Sequence, residues 1–513
     1  AMNCNPEALE IAFLDKHVSS VGGLWLLTFI QLLLWAQFAP NFGAENIYPI
    51  SAGFFGLCGL GWVLYAVSRK LHRRQFDLEI LALLLTTVGF AITAAWDPGA
   101  LYKQLAAVTL GMGIYGTLVW LLGRLHLAVK LRWPGAAAAA LLAFNVVMGE
   151  RIFGAKNWIS VGPISFQPSE LVKLAFILAG AATLDRLFAK RNLIFTVLFS
   201  AYCVGCLALM SDFGTALIFF VALLVIAFLR SGDLGFLALM ATAAGAGGWM
   251  ILQFKPYIAN RFGAWRHVWE HAADSGGFQQ TRTMSAIASG GLFGKGTGED
   301  AFLKNIGAAN TDLVFGVISE QFGLILALCT VFILLVLVLY ATRCAATARS
   351  SYYVIAANSA AAMLVFQATL NVLGAVDILP LTGVTLPFVS VGGSSMISCW
   401  GLLAFLKAAD TRPNASFTLK LPKRIRGWIP PDADRMYDDR YNGWYDDYDE
   451  DAYEDYGYDD GYEDYDEYED YDDYDQFAED WTQDRGGWED LIDGPLWPEG
   501  EDPLADPPPA RGR

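Results

Sequence analysis

The chain has 513 residues, of which 55% are hydrophobic, and its mean hydropathy is +0.37. This composition is too apolar for a soluble domain of that length, and it indicates a polytopic membrane protein. The net charge of −17 is concentrated at one end, because residues 432–513 hold 32 acidic and 5 basic residues, whereas residues 1–431 hold 20 acidic and 30 basic residues. Neither part has the strongly basic balance of a nucleic-acid-binding protein, so nucleic acid is not an expected partner.

Twelve apolar runs are long enough, or nearly long enough, for the roughly 20 residues that span a bilayer. They lie at about 20–39, 49–66, 79–97, 101–122, 134–149, 168–187, 193–210, 213–230, 235–253, 312–341, 353–376 and 389–408. The Ala-rich fifth run is the weakest candidate. We therefore predict an all-α polytopic membrane protein with about 12 transmembrane helices.

Basic residues recur in every second connection between these runs. They include Arg69, Lys70, Arg124, Lys130, Arg186, Lys190, Arg230, Arg343, Lys407 and Lys420. Because Lys and Arg accumulate in cytoplasmic loops, this pattern predicts that both termini lie in the cytoplasm. The other connections then face outward, and they carry most of the polar motifs.

The first polar motif is Gln167-Pro168-Ser169-Glu170, which is typical of a helix start. Pro is favoured at the first helical position, and a carboxylate in the first turn interacts with the helix dipole. Lys173 lies one turn further on, on the same face as Glu170. An intrahelical ion pair explains the Glu well, but a Lys that enters the bilayer from the outer side also indicates a site-organising role.

The second and third polar motifs are a short turn and a long outer loop. Asp212 lies between two spans with almost no loop, which predicts a cap and a tight turn. The loop 254–311 contains Arg261, Gln279 and Gly294-Lys295-Gly296. The glycines indicate either ordinary turns or a close backbone path beside a ligand. The spacing is not that of a nucleotide-binding P-loop.

Thr311-Asp312 stands at the outer entrance of the tenth run, and Glu320 follows two turns later. Thr311 suits the cap of that helix and Asp312 suits its first turn, but a carboxylate beside a glycine-rich loop also suits a general base. The stretch from Leu379 to Ser395 is interrupted by Pro and Gly at membrane depth. Such a backbone is tolerated only when it is buried in protein or lines a cavity.

Five motifs follow one another in the order found in the SEDS family of shape, elongation, division and sporulation proteins, such as RodA, FtsW and SpoVE. They are Gly154-Ala-x-x-Trp158 with Gln167-Pro-Ser-Glu170-x-x-Lys173; Asp212-x-Gly-Thr215; Gln279 through Gly-Lys-Gly296; Thr311-Asp312 with Glu320-x-x-Gly323; and Leu379-Pro-x-Thr-Gly383 through Ser390 to Ser394. The chain resembles this family over about residues 150–408.

The resemblance implies a peptidoglycan glycosyltransferase that polymerises lipid II, an undecaprenyl-linked disaccharide pentapeptide, on the outer face of the bacterial cytoplasmic membrane. It places the essential loop aspartate at Asp312, as the general base of an inverting transfer. It implies substrate-binding or site-organising roles for Glu170, Lys173, Lys156, Trp158, Gln167, Asp212, Arg261, Gln279, Lys295, Thr311, Glu320, Ser390 and Ser394. Positive charge for the leaving diphosphate would come from Lys173, from Arg261 or Lys295, or from a divalent cation (Mg²⁺ or Mn²⁺). No organic cofactor is expected.

The same resemblance divides the chain into three parts. Residues 1–150 hold the N-terminal transmembrane helices, including two beyond the usual ten-helix SEDS core, and residues 151–410 hold the rest of that core with the outer loop 254–311. Residues 411–513 form a cytoplasmic Asp/Glu/Tyr-rich tail, which the dense like charge predicts to be disordered. The sequence departs from the family pattern at three positions: Asn310 replaces a His, Asn157 replaces an Arg and Thr283 replaces a Ser. Lys156 is the nearest substitute for the missing Arg charge.

Two other functions stay open at this point. One is a flippase or transporter of a lipid-linked precursor, which would need a polar path through the membrane midplane. The inner halves of the spans look apolar, and this favours the enzyme. The other is a non-catalytic scaffold for a transpeptidase. The expected protein partner is a class B penicillin-binding protein, and the acidic tail is either a solvated segment or a handle for a basic cytoplasmic partner.

Overall fold

The computed structural model describes residues 20–410, apart from short gaps at 42, 44, 72–74, 125–129, 153–154, 163, 185–189, 232–233, 255, 275–276, 297–301, 305, 347 and 349. Helices make up most of this part of the chain. The predicted disordered tail at 411–513 lies outside the described residues, and so does Gly154 of the first motif.

The first four helices pack together as one group. They are α1 (Ser20–Phe38), α2 (Ile47–Lys70), α3 (Asp77–Trp96) and α4 (Leu101–Leu122), with a 3₁₀ turn at Pro98–Ala100. Helix α1 packs on α2 and α3, and α2 packs on α4. Inside this group Gln31 donates a 3.0 Å hydrogen bond to Thr87, which joins the first helix to the third.

The Ala-rich fifth run is divided in two and is followed by a small sheet. Helices α5 (Arg132–Ala138) and α6 (Ala140–Met148) precede three antiparallel strands, β1 (Glu150–Ile152), β2 (Ala155–Val161) and β3 (Ile164–Phe166), in the order β1-β2-β3. The outer connection 150–167 is thus a sheet rather than an irregular loop. Its Ile and Val residues favour strands, and its short length limits the sheet to these three.

The central part of the chain follows the predicted order of helices. Helix α7 (Pro168–Leu184) starts at Pro168, as predicted, and α8 (Lys190–Leu209), α9 (Phe213–Ser231) and α10 (Leu234–Phe254) follow. The outer loop then contains two helices, α11 (Pro256–Ala264) and α12 (Phe278–Gly290).

The predicted tenth run is wrong as a single helix. It consists of a short outer helix, α13 (Val314–Phe322), and a long span, α14 (Leu324–Ala346), which are separated at Gly323. Gly323 has φ +94°, and a Cβ there would lie 2.2 Å from the carbonyl oxygen of Leu292. The close approach of the preceding loop therefore breaks the helix. Helices α15 (Ser351–Ala375) and α16 (Gly393–Ala408) complete the bundle.

Seven helices in the described part of the chain are long and apolar enough to cross a membrane: α1, α2, α3, α4, α14, α15 and the apolar part of α10. Shorter apolar helices lie at Gly135–Met148, Phe195–Leu209 and Phe213–Leu229. The predicted helical membrane architecture is confirmed by these helices, with the small sheet as an addition, while the count of about twelve spans stays a prediction.

Helix α16 lies in the centre of the bundle, where it packs on α4, α7 and α15. Its apolar side chains are almost completely buried, including Trp400, Leu402 and Phe405. At the C-terminal end of this helix, Lys407 forms a buried ion pair with Glu79 at 3.0 Å. Two charged side chains are therefore buried together between the end of α16 and the start of α3.

An apolar cavity of about 760 Å³ opens between α9, α10, α14 and α15. Its walls are mostly aliphatic and aromatic, and they include Val225, Phe228, Leu237, Val338 and Val365.

Candidate functional site

The non-helical segment between α15 and α16, residues 379–392, forms the floor of the candidate site. Its Gly383 has φ +73°, a backbone conformation that favours glycine. A Cβ at this position would lie only 3.3 Å from Oδ2 of Asp312. The side chain with the strongest predicted role therefore lies directly against this segment.

Asp312 lies between the 254–311 loop and α13, outside the membrane-spanning helices. It does not cap α13, because the residue before that helix is Leu313, whose side chain makes no capping hydrogen bond. Thr311 is not the cap either, since its hydroxyl donates to the carbonyl oxygen of Ala308. The capping interpretation of Thr311-Asp312 is therefore wrong for α13.

Burial of its carboxyl raises the pKa of Asp312 to about 7. A hydrogen bond from Thr311 and the positive charge of Arg261 act in the opposite direction, and the negative charge of Asp212 raises the pKa further. Burial disfavours the ionised form of a carboxyl, whereas a nearby cation favours it. A carboxyl with a pKa near 7 is half ionised at neutral pH, as a general base requires.

Asp212 begins α9, as predicted for a cap. Its Oδ1 accepts a 3.2 Å hydrogen bond from the backbone N–H of Thr215, and its Oδ2 accepts a 2.9 Å bond from Nδ2 of Asn157. Asn157 thus holds Asp212 with a neutral amide. The following turn approaches the 379–392 segment so closely that a Cβ at Gly214 would lie 2.7 Å from Val384.

The helices of the outer loop attach to the same segment through hydrogen bonds to its backbone. Arg261 donates from NH1 to the carbonyl oxygen of Leu381 at 2.8 Å. Just before the segment, Trp265 donates to the carbonyl oxygen of Ile378 at 3.1 Å, and Gln280 donates to that of Gly374 at 2.9 Å. The outer loop therefore covers the end of α15 and holds the segment in place.

The Glu170–Lys173 pair is buried below the segment. Nζ of Lys173 lies 2.9 Å from both carboxylate oxygens of Glu170, and it also donates to Oε1 of Gln367 at 2.8 Å. The residue is 1% exposed, and these three bonds match its three N–H donors. This geometry is that of a structural ion pair, in which Lys173 has no donor left for a diphosphate.

Serine hydroxyls connect the rest of the predicted set to the segment. Ser390 donates to the carbonyl oxygen of Thr311 at 2.6 Å and accepts from the backbone N–H of Leu386. Ser394, at the start of α16, accepts a 3.0 Å bond from the backbone N–H of Gln167. The backbone beside Asp312 is thus joined to the C-terminal end of the segment, and the start of α7 is joined to the start of α16.

Five predicted residues lie away from this cluster. Lys156 donates to the last carbonyls of α6, those of Val146 and Val147, so its charge caps a helix. Trp158 pairs with Glu150 in the sheet.

The other three lie in the 254–311 loop and in α13. Gln279 makes only a long 3.5 Å bond to Gly307, and Lys295 is exposed with its Nζ 4.9 Å from the ring of Phe302. Glu320 is buried and accepts a 2.7 Å bond from the backbone N–H of Phe302. These contacts stabilise the loop.

Sequence reasoning missed three amide side chains that contact the site. Gln367 and Asn371 lie one turn apart on α15, and polar residues at such spacing inside an apolar span were the available signal. Gln280, rather than its neighbour Gln279, is the buried Gln of α12. The buried positions 280, 283, 286 and 290 repeat every three to four residues, so helical periodicity would have identified it.

No group of three or more His, Cys, Asp and Glu side chains that could hold a metal ion is found among the described residues. Asp212 and Asp312 alone do not form a cage for a metal, so the protein side chains do not fit a resident cation. A magnesium ion that bound here would need further ligands from outside the protein.

Comparison with known proteins places the chain in a family. The family model for FtsW, RodA and SpoVE, described as a cell cycle protein, matches residues 78–414. The match begins within α3, so α1 and α2 precede it.

The Coxiella burnetii probable peptidoglycan glycosyltransferase FtsW is 30% identical over 361 residues, which cover 66% of this chain and 95% of that protein. The Nitrosococcus halophilus protein of the same name is 31% identical and covers 71% of this chain and 92% of its own length.

Two solved structures have a similar fold. One is a chain from a structure of a peptidoglycan synthase complex that describes the coordination of polymerization and crosslinking. It has a TM-score of 0.56 and 27% identity to this chain, and the match covers 66% of this chain and 99% of that chain. The other is a mutant of the Thermus thermophilus Rod shape determining protein RodA, with a TM-score of 0.50, 25% identity and coverage of 66% and 98%. Five ordered motifs, the helical membrane fold and the match over residues 78–414 agree, and the chain belongs to the FtsW/RodA/SpoVE family, the SEDS family.

Proposed function

We propose that this protein is a peptidoglycan glycosyltransferase that polymerises lipid II, with Asp312 as the general base. The observation that carries the base assignment is the environment of Asp312: a carboxyl outside the spans, packed against Gly383, with a pKa of about 7. The relatives named as probable peptidoglycan glycosyltransferases support the reaction class.

The proposed reaction is a single inverting displacement. The 4-hydroxyl oxygen of the acceptor GlcNAc forms a bond to C1 of the donor MurNAc, its proton passes to the Asp312 carboxylate, and the bond from C1 to the undecaprenyl diphosphate breaks. General-base assistance contributes about 10²–10⁴-fold to such a step. The proton then leaves Asp312 for solvent, and the diphosphate departs with the electron pair.

The positive charge that stabilises the leaving diphosphate is best assigned to Arg261. Its positive charge acts on Asp312, and NH1 is held by the backbone of Leu381, so the guanidinium is pre-positioned beside the base. Lys173 is less suited because its three donors are already bonded. Lys295 is exposed in the loop beside Phe302. A divalent cation as the source of positive charge stays a proposal, which an EDTA titration of the polymerisation rate would test.

The polyprenyl chain of the substrate needs an apolar surface. The cavity between α9, α10, α14 and α15 is of suitable chemistry, since its walls are aliphatic and aromatic. The loop charges support an orientation in which both termini are cytoplasmic and Asp312 faces outward. Labelling of single cysteines from either side of the membrane would test this orientation.

The deciding experiment compares two carboxyl-to-amide variants with purified lipid II in detergent. Asp312→Asn is expected to lose 10²–10⁴-fold in rate. The control is Asp274→Asn, an exposed outer-loop carboxylate that contacts only His271 within the described chain, and it should polymerise at the normal rate. Glycan synthesis by Asp312→Asn at the normal rate would exclude the general-base role.

The same assay separates the other functions. Polymer made in detergent, without a bilayer, would exclude a protein that only moves lipid across a membrane. Movement of lipid II across vesicle membranes without polymer formation would favour the flippase. We also propose a class B penicillin-binding protein as the crosslinking partner, supported by the similarity to a chain of a polymerization and crosslinking complex. Purification of the native complex from membranes would identify that partner.

A further inference from the structure

The polar face of α15 connects the two parts of the site that sequence reasoning treated separately. Gln367 and Asn371 are one helical turn apart, so their side chains project from the same face. Both are about 1% exposed although they lie in a helix apolar enough to span a membrane. Buried polar groups inside a span are expensive and are usually kept for a specific task.

Gln367 links the buried ion pair to the 379–392 segment. Its Oε1 accepts the 2.8 Å bond from Lys173. Its Nε2 donates to the carbonyl oxygen of Thr385 at 3.0 Å and to the Thr385 hydroxyl at 2.9 Å. That hydroxyl lies 2.6 Å from the hydroxyl of Ser395 on α16. The ion pair therefore fixes the position of the segment through a single amide side chain.

Asn371 links the segment to Asp312. Its Nδ2 donates to the carbonyl oxygen of Asp312 at 2.8 Å and to the carbonyl oxygen of Val384 at 2.8 Å. Val384 follows Gly383, the residue against which the Asp312 carboxylate lies. One NH₂ group thus holds together the two backbone stretches whose separation sets the position of that carboxylate.

The acceptor oxygen of the Asn371 amide, Oδ1, is buried and has no hydrogen-bond partner among the described residues. A buried acceptor without a partner is unfavourable for folding. A side chain that served only to stabilise the bundle would gain by being apolar. The Asn is therefore explained better by what its NH₂ group holds than by the stability of α15.

We infer that Asn371 is a positioning residue that fixes the Asp312 carboxylate against Gly383, and this rests on the proposed role of Asp312 as the general base. Asn371 lies against the backbone of Asp312 and need not touch the substrate. Catalytic groups must be held within about 0.5 Å of the productive geometry, and a displacement of about 1 Å lowers the rate on the order of 100-fold.

The test replaces Asn371 by Ala and measures kcat and KM for purified lipid II, the pH dependence of kcat/KM and the unfolding temperature. We expect kcat to fall about 10–100-fold with KM within about threefold of the normal value. The midpoint of the acid limb should also move to lower pH, because a carboxyl released from its packed position has a lower pKa. A purely structural role would lower the unfolding temperature without moving that midpoint.

The matched control is Thr369→Ala. Thr369 lies at the same depth of α15 on another face, and its hydroxyl bonds to Val365 of its own helix. If Asn371→Ala does not fold, Asn371→Gln keeps the amide but displaces it by one methylene group, and it should show a smaller loss of kcat in the same direction. A kcat equal to that of Thr369→Ala, or a change in KM alone, would overturn the inference.

Asp312→Asn in the same assay keeps the two proposals apart. If Asp312→Asn is fully active, the general-base role fails and the positioning role fails with it. If Asp312→Asn is inactive while Asn371→Ala has normal kcat, only the positioning role fails.

Discussion

Gly383→Ala is the smallest change that tests whether Asp312 reacts from the position seen in the structure. The added Cβ would lie 3.3 Å from Oδ2 of Asp312. A contact of this length is tighter than most Cβ contacts in proteins, so the carboxylate would move away by roughly 0.3 Å. An L-residue at φ +73° also adds roughly 1–2 kcal/mol of backbone strain.

These two effects have different consequences for the enzyme. If a displacement of about 1 Å lowers the rate on the order of 100-fold, a displacement of roughly 0.3 Å lowers it about fourfold. The new methyl group also removes water from the carboxylate, which raises its pKa further. We therefore expect about a fourfold lower kcat, an acid limb shifted to higher pH and an unfolding temperature lower by a few degrees.

Gly393→Ala is the control for this experiment. Gly393 is the first residue of α16, and a Cβ there meets nothing closer than Ala107 at 3.8 Å. Its kcat and pH profile should be normal. If Gly383→Ala matches Gly393→Ala in both kcat and pH profile, Asp312 does not react from its position against Gly383, and the geometric basis of the base assignment is wrong.

Two further predictions concern pH and the buried ion pair at the far end of α16. The pKa of Asp312 in the free protein is about 7, and the base must be ionised. Polymerisation at lipid II concentrations well below KM should therefore fall about tenfold per pH unit below pH 7 and level off above it, and a flat rate from pH 5.5 to 8.5 would contradict this. Lys407→Met leaves Glu79 buried with the hydroxyl of Tyr115 but without its cation, and it should destabilise the protein by about 3–5 kcal/mol. The double variant with Glu79→Gln should recover much of that loss. Equal unfolding temperatures of the single and double variants would show that the pair is not coupled.

Local signals predicted the elements that carry the site. Pro168 was expected to start a helix and does so, and Asp212 was expected to cap the next span and accepts a bond from the Thr215 N–H. The Pro and Gly residues between 379 and 392 predicted a non-helical segment, which the structure confirms. Each of these signals depends on residues within a few positions, so a single sequence contains the information.

Long-range contacts explain what the sequence did not reveal. The break at Gly323 results from the approach of Leu292, thirty-one positions earlier, and nothing in the apolar pattern of the tenth run signals it. Lys156 looked like a substitute charge for the site because it precedes Asn157. Its side chain instead reaches back to the end of α6, a contact that depends on how β2 folds against that helix.

The division of tasks among the polar side chains follows from the same contacts. Lys173 and Asn371 are both buried, and their N–H groups are occupied by bonds within the protein. Lys173 bonds to the side chains of Glu170 and Gln367, and Asn371 bonds to the backbone carbonyls of Asp312 and Val384. Asp312 differs, because its carboxyl holds no backbone group of the 379–392 segment and instead packs against Gly383. A residue that holds the backbone acts on the rate through the position of the base, whereas the base acts through its proton. Variants of the first kind should therefore change kcat together with the acid limb or the unfolding temperature, and Asp312→Asn should remove activity from a protein that is otherwise as stable as before.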